Sequence, residues 1–264
     1  MAFSRIASDY LANGVLCMIP FEDHTVYVDP RDDRIAQTLL AGKPWQRHHL
    51  TRALDQLSAA GRLSPGGTMI DVGANIGLTV LYGLLSGKFA SAIAIEPEPQ
   101  NLALLRRNIA TNGFSACTSV IAKAASNTAG TLELHRDRRN LGAHSLESDF
   151  VLSDTGIPLN VSVDRLNALV ERGKHEPAKI SFIKIDVEGH EFAVLEGMPD
   201  ILKRRIPVML EMTFDGGKRL ADRDKFVACM SAYEHVLDLG PAQASPVALR
   251  DFEPSQDQHE LLIY

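Results

Sequence analysis

Cysteine, positive charge and long apolar runs are all scarce in this chain, and each shortage excludes a class of protein. Only three cysteines occur, Cys17, Cys117 and Cys229, an odd number widely spaced and without C-x-x-C pairing. Neither a disulfide framework nor a zinc site fits that pattern, and the three read as buried small hydrophobes in a reducing compartment. Lys and Arg number 27 against 33 Asp and Glu, a formal charge of −6. Nucleic acid and anionic membranes require clustered positive charge, so neither is expected as a partner. Every apolar stretch is broken by Asp, Lys or Pro before the ~20 residues that a membrane span needs. The apolar segment at residues 10–21 follows Asp9 and is interrupted by Asn13, which makes it a poor secretory signal. A cytoplasmic protein is expected, of an oligomeric state that these features leave open.

Hydrophobic residues make up 45% of the 264 positions, enough for one large α/β domain or two small ones. From Gly66 onward short β-branched runs alternate with amphipathic stretches, the pattern of a parallel sheet covered by helices. Strands are predicted at residues 68–72, 91–96, 118–124, 181–186 and 207–212. Helices are predicted at 78–86, 100–112, 166–171, 191–195 and 223–233. Pro99 suits a first helical position and Gly113 a left-handed C-cap. Residues 235–239 and 260–264 read as an antiparallel pair, and 131–135 with 160–163 as a hairpin or insertion. Residues 1–65, with an extended V-Y-V at 26–28 and a helical run at 45–63, read as a cap on a domain of residues 66–264.

The strongest local signal is T-M-I-D-V-G-A-N-I-G-L, residues 68–78, a buried strand followed by a glycine turn and a helix start. Such a turn lets backbone amides approach a ligand. The spacing G-x-N-x-G, in place of G-x-G-x-x-G, with Asp71 before it, suits a cationic ligand better than a pyrophosphate. Glu96 ends the second strand, where a carboxylate can accept both hydrogen bonds of a ribose diol.

A second constellation, I-K-I-D-V-E-G-H-E at residues 183–191, places Asp186, Glu188, His190 and Glu191 where the fourth strand meets a helix. Parallel sheets bind ligands at such carboxyl ends, so Asp71 and Asp186 are expected to face one crevice, with Glu211 at its border. Lys184 points away from Ile183 and Ile185 and is expected to snorkel or to pair with an acid.

Together these stretches resemble the FkbM-type family of S-adenosylmethionine-dependent methyltransferases. The resemblance rests on D-V-G-A-N-I-G at 71–77, Glu96-Pro97, and above all on residues 183–191 followed by V-L-E-G at 194–197. Weaker agreement occurs at Ala124-Ala125-Ser126, N-L-G-A-H-S at 140–145 and Glu211, while His259 stands where an asparagine is common. The resemblance implies a Rossmann-like class I methyltransferase fold: a seven-stranded, mostly parallel sheet in the order 3-2-1-4-5-7-6, with helices on both faces and the N-terminal cap. It also implies an S-adenosylmethionine-dependent O-methyltransferase acting on a hydroxyl of a small natural product or sugar. Asp71, Gly73, Ala74, Asn75, Gly77, Glu96, Pro97 and Ala124 are the expected cofactor residues, and His144 and Glu211 the expected substrate residues.

Asp186 and then Glu188 are the first candidates for groups facing cofactor and acceptor; His190 is the natural base near neutral pH. Glu188 could instead cap the following helix. Asp186, Glu188 and Glu211 could supply oxygen ligands to Mg²⁺, but three acids make no site without convergent geometry, and no metal ligand is assigned. The basic run at 136–139 is expected to lie in a lid over the acceptor and to meet an anionic or sugar substrate, and His48-His49 could touch the cofactor pocket. Two alternatives stand beside methyl transfer: an NAD-dependent oxidoreductase, opposed by G-x-N-x-G, and a non-catalytic S-adenosylmethionine-binding module. Nitrogen methylation is disfavoured, because D-V-E-G occupies the position of an Asn-Pro-Pro-aromatic turn.

Overall fold

The computed structural model describes residues 7–11, 14–151, 156–173, 175–214 and 219–264. Asn13, which interrupts the N-terminal apolar stretch, lies outside them. The chain begins with strands β1 (Ala7–Leu11), β2 (Gly14–Pro20) and β3 (Thr25–Val28), which form an antiparallel three-stranded sheet. Helices α1 (Ile35–Leu40) and α2 (Arg47–Ala59) follow. In α2 the residues at i, i+3, i+4 and i+7 are Leu50, Ala53, Leu54 and Leu57, and all four are buried. Burying each leucine contributes roughly 1.5–3 kcal/mol.

The main sheet is built from β4 (Gly67–Val72), β5 (Phe89–Ile95), β6 (Thr118–Ile121), β10 (Ile180–Ile185), β11 (Val208–Thr213), β12 (His235–Asp238), β13 (Val247–Ala248) and β14 (Gln258–Ile263). The strands between these, β7 (Ala124–Ser126), β8 (Gly130–Leu134) and β9 (Leu159–Arg165), form a separate small sheet. The remaining helices are α3 (Leu78–Leu85), α4 (Pro99–Thr111), α5 (Leu166–Arg172), α6 (Glu191–Glu196), α7 (Pro199–Leu202) and α8 (Arg219–Cys229).

Across the main sheet the order is β6-β5-β4-β10-β11-β14-β12-β13. The strands from β6 to β11 run parallel, and β14 enters antiparallel between β11 and β12. Four expectations are corrected here. The sheet has eight strands and not seven, because the connection after β12 pairs Val247 with Val236 along the sheet edge. The predicted strand at 118–124 breaks after Ile121, and Ala124–Ser126 leaves to pair with β9. The last long helix begins at Arg219 and ends at Cys229, four residues earlier at each end than the predicted 223–233. None of the three cysteines is fully buried; all are half-buried and free.

Apolar side chains alternate between two cores, as the strand period of two requires. Met69, Phe182, Met209 and Leu262 face one core together with Val26, Leu39, Leu57 and Leu81, so the N-terminal elements and the sheet share it. Ile70, Ile183, Leu210 and Leu261 face the other, with Leu166, Val194, Ile201 and Phe226 from the helices. Asn108 on α4 and Asn112, the C-cap of that helix, clasp β3. Asn108 accepts from the Tyr27 amide at 2.6 Å and donates to the carbonyls of Tyr27 and Ile76, and Asn112 makes the same pair of bonds with Thr25. The N-terminal segment is thereby tied to the loop that follows β4. No helix among the described residues is long and apolar enough to cross a membrane.

Candidate active site

The loop after β4 takes its shape from two left-handed glycines. Gly73 (φ +80°) and Gly77 (φ +88°) turn the chain from β4 into α3, and the amides of Gly73 and Ala74 both donate to the Ile95 carbonyl at 3.0 Å. Gly73 also lies directly on the next loop, since a Cβ there would stand 1.7 Å from the Asp186 carbonyl oxygen. Glu96, buried at the end of β5, accepts from the Asn75 amide through Oε2 and from the Glu98 amide through Oε1, both at 2.8 Å. Glu98 in turn caps α4 by accepting from the amides of Gln100 and Asn101, with Pro99 in the first turn as predicted.

The acidic turn after β10 carries its own strain. Glu188 (φ +52°) and Gly189 (φ +97°) are both left-handed, and Glu191 accepts from the amides of Val187 and Gly189. Neither Asp186 nor Glu188 caps α6; Glu191 holds the turn.

Two clefts meet at these loops. The first, about 530 Å³, includes Glu96, Pro97, Asn101, Ala124, His144 and His190 in its wall. The second, about 1060 Å³, includes Trp45, Gln46, Ala74, Lys184, Glu211 and Gln258. Gly73, Asn75, Gly142, Asp186 and Glu188 border both.

Charge in the second cleft is crowded. Lys184 is buried and donates to Asp186 at 2.6 Å. Burial opposes its charge, yet the carboxylates of Asp186, Asp71 and Glu260 outweigh that and hold the ammonium above its ordinary range. Glu188 is pushed up to about 8 by burial and by Asp186. Glu211 rises to about 9, first through the Asp186 charge and then through burial. Oxygens of Asp186, Glu188 and Glu211 lie within 4.8 Å of one another, so the convergence that sequence alone could not supply is present, and these are the residues that could hold a divalent cation.

Several predicted site residues sit differently. Asp71 borders neither cleft: it shares a sheet face with Met69, stands opposite Lys184 in register, and is pushed up to about 7 by burial. Gly77 lies against Leu105 and shapes the turn without reaching a cleft. His144 borders the first cleft, not the second; its Nδ1 accepts from the Asp137 amide, and burial with the nearby Arg136 lowers it to about 4. His190 is not a free base. Its Nδ1 meets Glu147 Oε1 at 2.7 Å and its Nε2 meets Ser126 Oγ at 2.9 Å. That Ser-His-Glu chain has the connectivity of a nucleophile relay, but Ser126 is buried outside both clefts. The chain instead pins the segment around Glu147 to the acidic turn, as does Ser145 Oγ donating to the Glu188 carbonyl.

The other basic and imidazole candidates named from the sequence lie outside both clefts. Arg139 pairs with Asp33 and Arg136 with Glu98, so these two arginines of the 136–139 run are spent on the protein. His48 and His49 border neither cleft, and His259 bonds Asp238 between β14 and β12. Sequence reasoning missed Arg34, Trp45, Gln46 and Gln258 in the second cleft and Asn101 in the first. Nothing local marks them.

Comparison with known proteins then decides the family. Residues 71–239 match the family model described as the methyltransferase FkbM domain. The chain belongs to the FkbM methyltransferase family. Among curated relatives, 31-O-demethyl-FK506 methyltransferase FkbM of Streptomyces tacrolimicus is 33% identical over 165 residues, covering 52% of this chain and 62% of that protein. Methyltransferase sdnD of Sordaria araneosa is 27% identical over 159 residues, covering 50% of this chain and 60% of that protein. The alignments thus span under two thirds of the length of these relatives. Methyltransferase FkbM from Methylobacillus flagellatus KT, a solved structure, is 17% identical with a TM-score of 0.49, covering 90% of this chain and 62% of that one.

The buried acids of this FkbM-family chain make its stability depend on pH. Glu188, Glu211 and Glu260 are held at about 8, 9 and 8, far above their unfolded values, so between pH 7 and 9 the folded state still binds protons that the unfolded state has lost. Stability therefore falls as pH rises through that window. The ligand-free protein is expected to melt lower at pH 9 than at pH 7, by on the order of 5 °C. A melting temperature that is flat or rising over this range would contradict the assigned carboxyl states.

Proposed function

We propose that the chain transfers a methyl group from S-adenosylmethionine to a hydroxyl group of a small hydroxylated molecule. The observation that carries this reading is the place of Asp186, ion-paired with buried Lys184 on the wall common to the two clefts.

The residues of the first cleft fit an S-adenosylmethionine nucleoside. Both Glu96 oxygens are fixed by backbone amides and keep lone pairs for a diol, and the Asn75 Oδ1 is buried without a protein partner. Asp186 on the wall common to both clefts favours a cationic ligand over a dinucleotide pyrophosphate, which weighs against an oxidoreductase. When bound, S-adenosylmethionine supplies an electrophilic methyl group. Asp186, ion-paired with Lys184, accepts the proton of the acceptor hydroxyl. Glu188 and Glu211 are protonated near neutral pH and donate hydrogen bonds that orient the acceptor's other oxygens. Orientation is the larger contribution, worth roughly 7–11 kcal/mol when the reacting groups are well aligned. The name of the Streptomyces relative records an O-demethyl substrate, in keeping with a hydroxyl acceptor.

Thermal shift with S-adenosylmethionine, S-adenosylhomocysteine and NAD tests the cofactor. A ligand at 100 times its dissociation constant stabilises by roughly 2.7 kcal/mol, and the two adenosyl sulfur compounds are expected to raise the melting temperature by about 5–10 °C. Stabilisation by NAD alone would overturn the reading. Binding of the cofactor with no methyl transfer to any of a panel of hydroxylated molecules would favour a non-catalytic module.

A further inference from the structure

Among the described residues, four other than glycine adopt a positive φ: Gln46, Asn75, Glu188 and Arg205. Three of them, all but Arg205, line the second cleft. Left-handed backbone is disfavoured for any residue with a Cβ, and such strain collects at ligand sites. Asn75 and Glu188 belong to the glycine loop and the acidic turn. Gln46 belongs to neither. It precedes α2 at φ +48°, where glycine would fit without strain, and its side chain makes no capping bond to the helix. Beside it stands Trp45, the single tryptophan of the chain, packed on the apolar core and forming part of the same cleft wall. Asp186, Glu188, Glu211 and Gln258 line the cleft with hydrogen-bonding groups.

An indole in a wall shared with carboxylates and amides suits a ring with apolar C–H faces and a polar rim. Lys184 already bonds Asp186 and Gln258 already bonds Glu211, so what the cleft offers is the lone pairs and N–H groups left over by these pairs, which a ring with several hydroxyls meets and a planar aromatic acceptor with few does not. We propose that Trp45 and Gln46 are acceptor-recognition residues, and that the second cleft takes a saturated, polyhydroxylated ring of the saccharide class. The ring packs on Trp45, and its hydroxyls meet Gln46 and the acidic groups. The inference rests on the methyl-transfer reading for which hydroxyl is modified, but the binding itself is tested apart from it.

Because Trp45 is the only indole, its fluorescence reports this wall alone. S-adenosylhomocysteine is titrated first, with calorimetry in parallel, and then methyl glycosides of glucose, xylose and rhamnose, each with and without S-adenosylhomocysteine, with catechol as a planar control. The expected result is a saturable change in Trp45 emission with at least one glycoside and none with catechol. Gln46→Gly is expected to keep or raise the melting temperature, since it relieves the left-handed strain, and to weaken the glycoside titration about fivefold, the loss of one net hydrogen bond. An emission change with S-adenosylhomocysteine to which no glycoside adds would give the wall to the cofactor and overturn the proposal. So would a response to catechol alone, a response to nothing, or an unchanged glycoside affinity in Gln46→Gly. Failure of S-adenosylhomocysteine to bind by calorimetry would instead strike the methyl-transfer reading, leaving the glycoside arm to be judged on the free protein.

Discussion

Gly73→Ala is expected to abolish S-adenosylhomocysteine binding and to lower the melting temperature by about 5–15 °C, the shift for roughly 2–5 kcal/mol in a chain of this size. Two effects add. At φ +80° any Cβ strains the backbone, and here the Cβ would stand 1.7 Å from the Asp186 carbonyl oxygen and 2.9 Å from its carbon. Both are main-chain atoms, so no rotamer change relieves the overlap. The Asp186 amide also donates to the Val72 carbonyl at 3.0 Å, which stitches the two loops together at this point. To admit a methyl group the glycine loop and the acidic turn must part, and the wall common to both clefts opens. Gly66→Ala is the control, since its φ is +72° but a Cβ there would meet nothing within 4 Å. It carries the backbone strain without the overlap and is expected to cost about 1 kcal/mol. Calorimetric titration and thermal melts of the two variants decide the point. Equal destabilisation with retained binding would show that the contact with Asp186 is not what the glycine serves.

The same contact shows what was legible in the sequence. Strands β4, β5, β10 and β11 could be read from β-branched runs, and α4 from Pro99 and Gly113, because those signals are local. The D-V-G-A-N-I-G and I-K-I-D-V-E-G-H-E stretches announced the two loops. That Gly73 packs on Asp186 could not be read, since the closeness depends on β4 and β10 pairing in register. Asp71 shows the same dependence on register. Its position before the glycine loop suggested a ligand group, but it shares a face with Met69, and alternation turns it toward Lys184 inside the sheet. Lys184 could be read as snorkelling or pairing with an acid, and only the fold makes that acid Asp186. His190 looked like a base by its chemistry, and Glu147 and Ser126, distant in sequence, take both of its nitrogens. Trp45 and Gln46 were invisible as site residues because the N-terminal segment reaches the cleft only through tertiary packing, including the Asn108 clasp on β3.

Asp186→Asn is expected to lower methyl transfer to an accepted glycoside by about 10²- to 10⁴-fold, the range for loss of a general base. S-adenosylhomocysteine should still bind within about threefold, because the amides on Glu96 and the backbone of the loop are untouched. Asparagine keeps the shape and retains an oxygen for the Lys184 ammonium, and Asp71 stays beside that ammonium in register, so the fold should survive. The distinguishing readout is the pH profile. In the native protein Glu188 is raised to about 8 by burial and by the charge of Asp186, and it is protonated where Asp186 works. Removing that charge relieves the repulsion and lets Glu188 ionise at a lower pH. The residual activity of Asp186→Asn should therefore rise with pH as Glu188 becomes an alternative proton acceptor, and Asp186→Asn combined with Glu188→Gln should lose that rise. A purely structural role for Asp186 predicts otherwise: cofactor affinity and turnover would fall together, with no new pH limb. Unchanged turnover in the single variant would remove Asp186 from the chemistry and leave the acceptor to be activated by alignment in the cleft alone.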